Sequence, residues 1–152
     1  DQEPYEFVPD GIFTIANQEL KKTLLFFLEV DMGTETIISP KRDHKDLRQK
    51  IINYQALFHT GRYKHFGKNF RAQLNGFRLL FVANTPPRFK ALCRLVREMP
   101  PTDFIWLADQ DHMFTYGLSA TIWTRGGRHN IPPQSILGRN LAAKITVMDK
   151  IR

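Results

Sequence analysis

Leu24-Leu25-Phe26-Phe27-Leu28 is an unbroken run of large apolar residues, closed by Glu29-Val30-Asp31. Such a run reads as a strand buried on both faces, predicted over residues 23–31. A second strand, predicted over 7–15 and containing Ile12-Phe13-Thr14-Ile15, precedes it across the polar Ala16-Asn17-Gln18-Glu19 turn, so an antiparallel hairpin is expected. Leu47, Ile51, Tyr54 and Phe58 then recur at helical spacing, which predicts a helix from about Asp43, a good N-cap, to a stop at Gly61. Residues 62–75 read as a polar, basic loop and 77–83 as another apolar strand. Thr85 is placed to cap a second helix with Pro86-Pro87 in its first turn, and Phe89, Leu92, Cys93, Val96 and Met99 line one face up to Pro100-Pro101. Strands over 104–108 and 120–124 follow, before a Gly126-Gly127 turn.

This order predicts an α/β fold: a mixed β-sheet flanked by helices, antiparallel in the first hairpin and parallel where a helix joins two strands. One domain is expected over 1–128. From His129 onward the periodicity is weak, and 129–152 reads as a tail with no predicted element.

The ends of the first two strands carry the candidate chemistry. Side chains alternate along a strand, so Glu29 and Asp31 share one face. A buried carboxylate loses its hydration and needs a cation beside it. Asp10, in Pro9-Asp10-Gly11, heads the first strand, and pairing the strands gathers Asp10, Glu29 and Asp31 at one edge. Such a cluster suits a hard divalent cation, which takes one or two carboxylates plus waters. The competing expectation is a structural ion-pair hub neutralised by Lys50 or an arginine.

Charge changes the picture further. The 152 residues carry a net +7, but residues 1–46 hold ten Asp/Glu against five Lys/Arg, whereas 47–97 hold eleven Lys/Arg and no acid. An acid-free stretch of that length points to a polyanion partner, with nucleic acid preferred over a merely solvated surface. Within it, Arg62, Lys64, Lys68 and Arg71 interleave with aromatics, a pattern suited to phosphate contact. Phe66 and Phe70 are expected to tuck into the core instead.

Other side chains exclude alternatives. One cysteine rules out an internal disulfide framework and fits a reducing cytoplasm, with Cys93 expected as an inert core residue. His44, His59, His65, His112 and His129 lack zinc-ligand spacing. Trp106 and Trp123 read as core, and no apolar run is long enough to span a bilayer.

Four blocks carry a family resemblance: Pro9-Asp10-Gly11; Phe26-Phe27-Leu28-Glu29-Val30-Asp31-Met32-Gly33-Thr34-Glu35; Lys50-Ile51-Ile52-Asn53-Tyr54; and Arg78-Leu79-Leu80-Phe81-Val82-Ala83-Asn84-Thr85. Over about residues 5–125 the chain resembles the replication-relaxation family of plasmid and integrative mobile-element proteins. The resemblance implies an upstream winged-helix domain, in keeping with a chain that starts at Asp1 rather than Met. The layout is also similar to the PD-(D/E)XK nuclease superfamily, which implies a restriction-endonuclease-like core. Asp10 and Glu29 fall on the two acidic positions that hold Mg2+ or Mn2+ there, and Asp31 occupies the position of the catalytic lysine. Some members carry that lysine on the next helix, or a Gln-x-x-x-Tyr motif there. Lys50 and Tyr54 stand at this i, i+4 spacing, which makes Lys50 the candidate migrated lysine.

The implied function is a DNA-binding, nuclease-like domain in replication or transfer of a mobile element. Metal-dependent phosphodiester hydrolysis would use Asp10, Glu29 and Lys50, with Asp31 as a further ligand. The alternatives are a catalytically inactive DNA-binding module, or an interaction domain that recruits other replication or transfer proteins.

Overall fold

Among the described residues, six strands form one mixed sheet flanked by helices, in the spatial order Thr124–Arg125, Ile105–Asp109, Leu74–Ala83, Lys22–Val30, Gly11–Asn17, Lys144–Val147. A computed structural model describes residues 8–17, 19, 21–33 and 46–138, and the backbone of 144–147. β1 (Gly11–Asn17) and β2 (Lys22–Val30) form the expected antiparallel hairpin, with Gly11 opposite Leu28 and Asn17 opposite Lys22. Helix α1 (Leu47–Thr60) carries the chain over to β3 (Leu74–Ala83), which pairs parallel to β2. Helix α3 (Pro86–Arg97) does the same between β3 and β4 (Ile105–Asp109). The short β5 (Thr124–Arg125) lies antiparallel to β4, and β6 (Lys144–Val147) lies antiparallel to β1.

The two faces of the sheet have separate cores. Leu25 and Phe27 of β2, Phe77, Leu79 and Phe81 of β3, and Leu107 of β4 pack under α1 and α3. Phe26, Leu80, Val82 and Trp106 point the other way, against Trp123 and Ile136. This period-2 division explains why the strands are apolar throughout: each residue type on each face has something to cover it.

Several expectations shift at the boundaries. The cap of α1 is Asp46, whose Oδ1 accepts from the Gln49 N–H at 2.7 Å; Asp43 lies outside the described residues. Gly61 stops the helix as expected, with φ +75° and its N–H donated to the Phe58 carbonyl. Residues 62–75 are not a loop. A 3₁₀ turn (Arg62–Phe66) and a one-turn helix α2 (Gly67–Phe70) fill most of it, because Tyr63 is buried and Phe66 and Phe70 pack against the core. The strand expected over 120–124 is confined to β5, with Trp123 making an isolated bridge to Gln134.

Helix α4 (Gln110–Tyr116) and β6 have no counterpart in the sequence reading. Within the stretch read as a tail, Ile136 is core and Lys144–Val147 complete the sheet. Among the described residues, no helix is long and apolar enough to cross a membrane.

Candidate functional site

Parallel strands β2, β3 and β4 all end at the same edge of the sheet, where ligands of α/β folds gather. Glu29 and Asp31 sit there on the face covered by α1 and α3, and both are buried. Asp10 lies one step beyond the Gly11–Leu28 pair, opposite Glu29, and is exposed. Its Oδ2 accepts the Val30 N–H at 2.8 Å, which ties the end of β1 to the end of β2. The hairpin therefore brings Asp10 and Glu29 together.

Helix α1 supplies the partners of Glu29. The Tyr54 hydroxyl donates to Oε1 at 2.6 Å, and the Lys50 Nζ lies 3.4 Å from Oε2. Both residues stand on the helix face that carries Leu47 and Ile51 into the core, so the i, i+4 spacing delivers them together. Burial pushes the Glu29 carboxyl above the usual carboxylate value, and the negative charge of Asp10 adds to the effect. The Lys50 charge and the Tyr54 hydrogen bond oppose it.

Asp31 has a different environment. Arg88 grips it in a fork, Nε to Oδ2 at 2.6 Å and Nη2 to Oδ1 at 3.2 Å, while the Gly33 N–H reaches Oδ1 at 3.1 Å. Gly33 holds φ +77°, and Asn84 Nδ2 pins the same turn by donating to the Met32 carbonyl at 2.8 Å. The Asp31 side chain has no exposed surface. Its face is the one expected, but its charge is already matched within the fold. Among the described residues, no three His, Cys, Asp or Glu side chains converge as a metal group, so Asp10, Glu29 and Asp31 do not form the expected three-carboxylate cluster.

Arg88 was missed from the sequence, although it left a trace. It occupies the first turn of α3, where Thr85 caps the helix and no acid is present. A cation at a helix N-terminus opposes the macrodipole, so its presence there calls for a local carboxylate.

The basic segment lies elsewhere. Arg62, Lys64, Lys68 and Arg71 are exposed, but the chain enters β3 at Leu74, which pairs with Thr23. Thr23 is six residues before Glu29, so this segment lies about 20 Å along the strand direction from the carboxylates. Asp109 is also on the carboxylate edge, where it caps α4 and contacts His112 Nδ1 at 2.5 Å. Cys93 is buried, and its thiol is pushed up to about 12 by burial, which makes it the inert core residue expected.

No protein-family model, curated protein or solved structure matches this chain.

Proposed function

We propose that this chain is a DNA-binding, nuclease-like domain of the kind found in the replication-relaxation proteins it resembles, with its chemistry at Asp10, Glu29 and Lys50. One observation carries the reading: the two carboxylates meet across the β1–β2 hairpin, and Lys50 and Tyr54 from the next helix both reach Glu29. That is the arrangement a migrated lysine requires.

The donor set fits a hard divalent cation in a reduced form. Asp10 and Glu29 would hold Mg2+ or Mn2+ with waters completing the shell, and Asp31, sealed by Arg88, stays out of it. A buried Glu29 whose carboxyl already resists ionisation gains from added positive charge. A bound ion would supply a Lewis acid for the phosphate and acidify water. Tyr54 fixes the rotamer of Glu29, Lys50 places positive charge where the phosphate becomes more negative, and Arg88 holds the turn after β2 in place.

The test is cleavage of supercoiled and single-stranded DNA with and without Mn2+. Glu29→Ala is expected to abolish cleavage and Mn2+ binding together. Lys50→Met is expected to lower the cleavage rate on the order of 100-fold while Mn2+ binding persists. Undiminished cleavage by Lys50→Met removes that residue from the mechanism.

A second reading, a DNA-binding module without catalysis, is favoured by Asp31, an acid neutralised by Arg88 where the superfamily pattern has lysine. Salt-dependent DNA binding with no cleavage under any metal selects it. Absence of both activities ends the DNA readings.

A further inference from the structure

Toward the opposite edge of the sheet, and on its other face, lies a cavity of about 540 Å³ whose described lining residues include no acid. Arg78 of β3 lines it, together with Lys21 and Lys22 from the β1–β2 turn. Arg78 is half-buried, and its guanidinium lies 4.2 Å from the centre of the Trp106 ring. Arg125 flanks the same ring at 5.9 Å. Buried arginines ordinarily sit against carboxylates, which the fork of five N–H donors matches. Here burial and the neighbouring Arg125 both push the guanidinium pKa down, and among the described residues no carboxylate offsets them. Trp106, the ring beneath this guanidinium, has a buried indole N–H with no acceptor among the described residues. Buried donors without acceptors are rare. Among the described residues, the lining of the cavity carries three cations and no anion.

We infer that this cavity is a nucleotide site, in which Arg78, Lys21 and Lys22 take the phosphate and the apolar floor of Ile15, Leu24 and Ile136 takes the base. The volume falls in the range of small-ligand sites, and an apolar floor with a few convergent polar groups is their usual composition. Arg78 suits a phosphate because its planar fork can make two parallel hydrogen bonds, and the Trp106 face holds that fork in one orientation. Gln73 and Asn75 stand on the rim, where amides can pair with a base edge. Lys22 is seven residues before Glu29 on β2, about 23 Å along the strand, and Arg78 pairs with Phe26, about 10 Å before Glu29 on the other face of the sheet, so the site is separate from the carboxylate pair. The nucleotide could be free or part of a DNA strand, since the phosphate chemistry is the same.

Tryptophan fluorescence and calorimetry of the full chain at low salt separate these sources, with ATP and a twelve-residue oligothymidylate as probes. Binding by either probe is expected to give a calorimetric signal and to change the emission of Trp106. ATP binding identifies a free-nucleotide site, and oligonucleotide binding alone identifies a strand site. Arg78→Met should weaken the responding probe about 10-fold or more. Should that variant fail to fold, Lys21→Gln with Lys22→Gln, both exposed, should still weaken it several-fold. Binding of neither probe, or binding that both variants leave unchanged, overturns the proposal.

Discussion

Replacing Arg88 with Ala should be among the most damaging changes available outside the packed core. Asp31 accepts three hydrogen bonds, two from Arg88 at 2.6 and 3.2 Å and one from the Gly33 N–H at 3.1 Å. Its side chain is fully shielded, and that of Arg88 is only 17% exposed. Truncating Arg88 removes two of the three bonds and strands a carboxylate that water cannot reach. Breaking a buried pair from one side costs about 3–5 kcal/mol. For a chain of this size each kcal/mol moves Tm by roughly 2–4 °C, so a fall of about 6–20 °C is expected. Urea unfolding with an unchanged m-value would show that the loss lies in stability rather than in the denatured state. Asp31→Asn combined with Arg88→Met, which removes both charges, should recover most of the loss. A cost for Arg88→Ala below about 1 kcal/mol, the range of exposed pairs, would refute the account of Asp31 as a buried, dependent charge.

Glu29 has a carboxyl pKa raised above 4.5 in the folded chain, so between that value and its own higher one the folded state holds more protons than the unfolded. Stability from this residue is full below the lower value and is lost as pH rises through the window; Glu29→Gln should flatten that part of a urea-derived stability profile, and an unaltered slope would contradict it. Gly127 holds φ +69°, and a Cβ there would stand 2.3 Å from the Cys93 carbonyl oxygen, so Gly127→Ala should cost about 2–6 kcal/mol in thermal unfolding. Gly61→Ala, also at positive φ but facing open space, should cost only about 1–2 kcal/mol; equal losses would show that the contact with Cys93 does not matter. Joint replacement of Lys64, Lys68 and Arg71 with Ala should weaken DNA binding across sequences and lower the salt slope by up to about 3, as read by titrations at several salt concentrations. An unchanged slope would make the segment an ordinary solvated surface.

The parts of the fold legible in the sequence are those where one physical signal dominates. The apolar run of β2, the capping Thr85 before Pro86-Pro87, and Gly61 after an amphipathic helix each left little choice. Parallel pairing of β2, β3 and β4 followed from the intervening helices. Helix α4 was not legible because it buries none of its residues and so carries no apolar period. The segment 62–70 hid its helical turns because its buried aromatics are diluted by exposed cations. At the site, the shared helical face of Lys50 and Tyr54 was readable from their i, i+4 spacing, whereas the Tyr54 hydrogen bond to Glu29 was not. The capture of Asp31 by Arg88, 57 residues away, was not, because nothing local records which cation crosses the sheet edge.

β6 gives the fold a timetable. Strand β1 is interior because Lys144–Val147 pair along Phe13–Ala16, so among the described strands the one synthesised first is flanked by the one synthesised last. About 130 residues separate Asn17 from Val147, and at typical synthesis rates that is roughly 6 to 26 s. Throughout that interval the outer N–H and C=O groups of β1 stand open, a row able to pair with any other strand. The hairpin that presents Asp10 and Glu29 is therefore most exposed to mispairing until residues 144–147 emerge, and any change that slows their emergence lengthens that exposure.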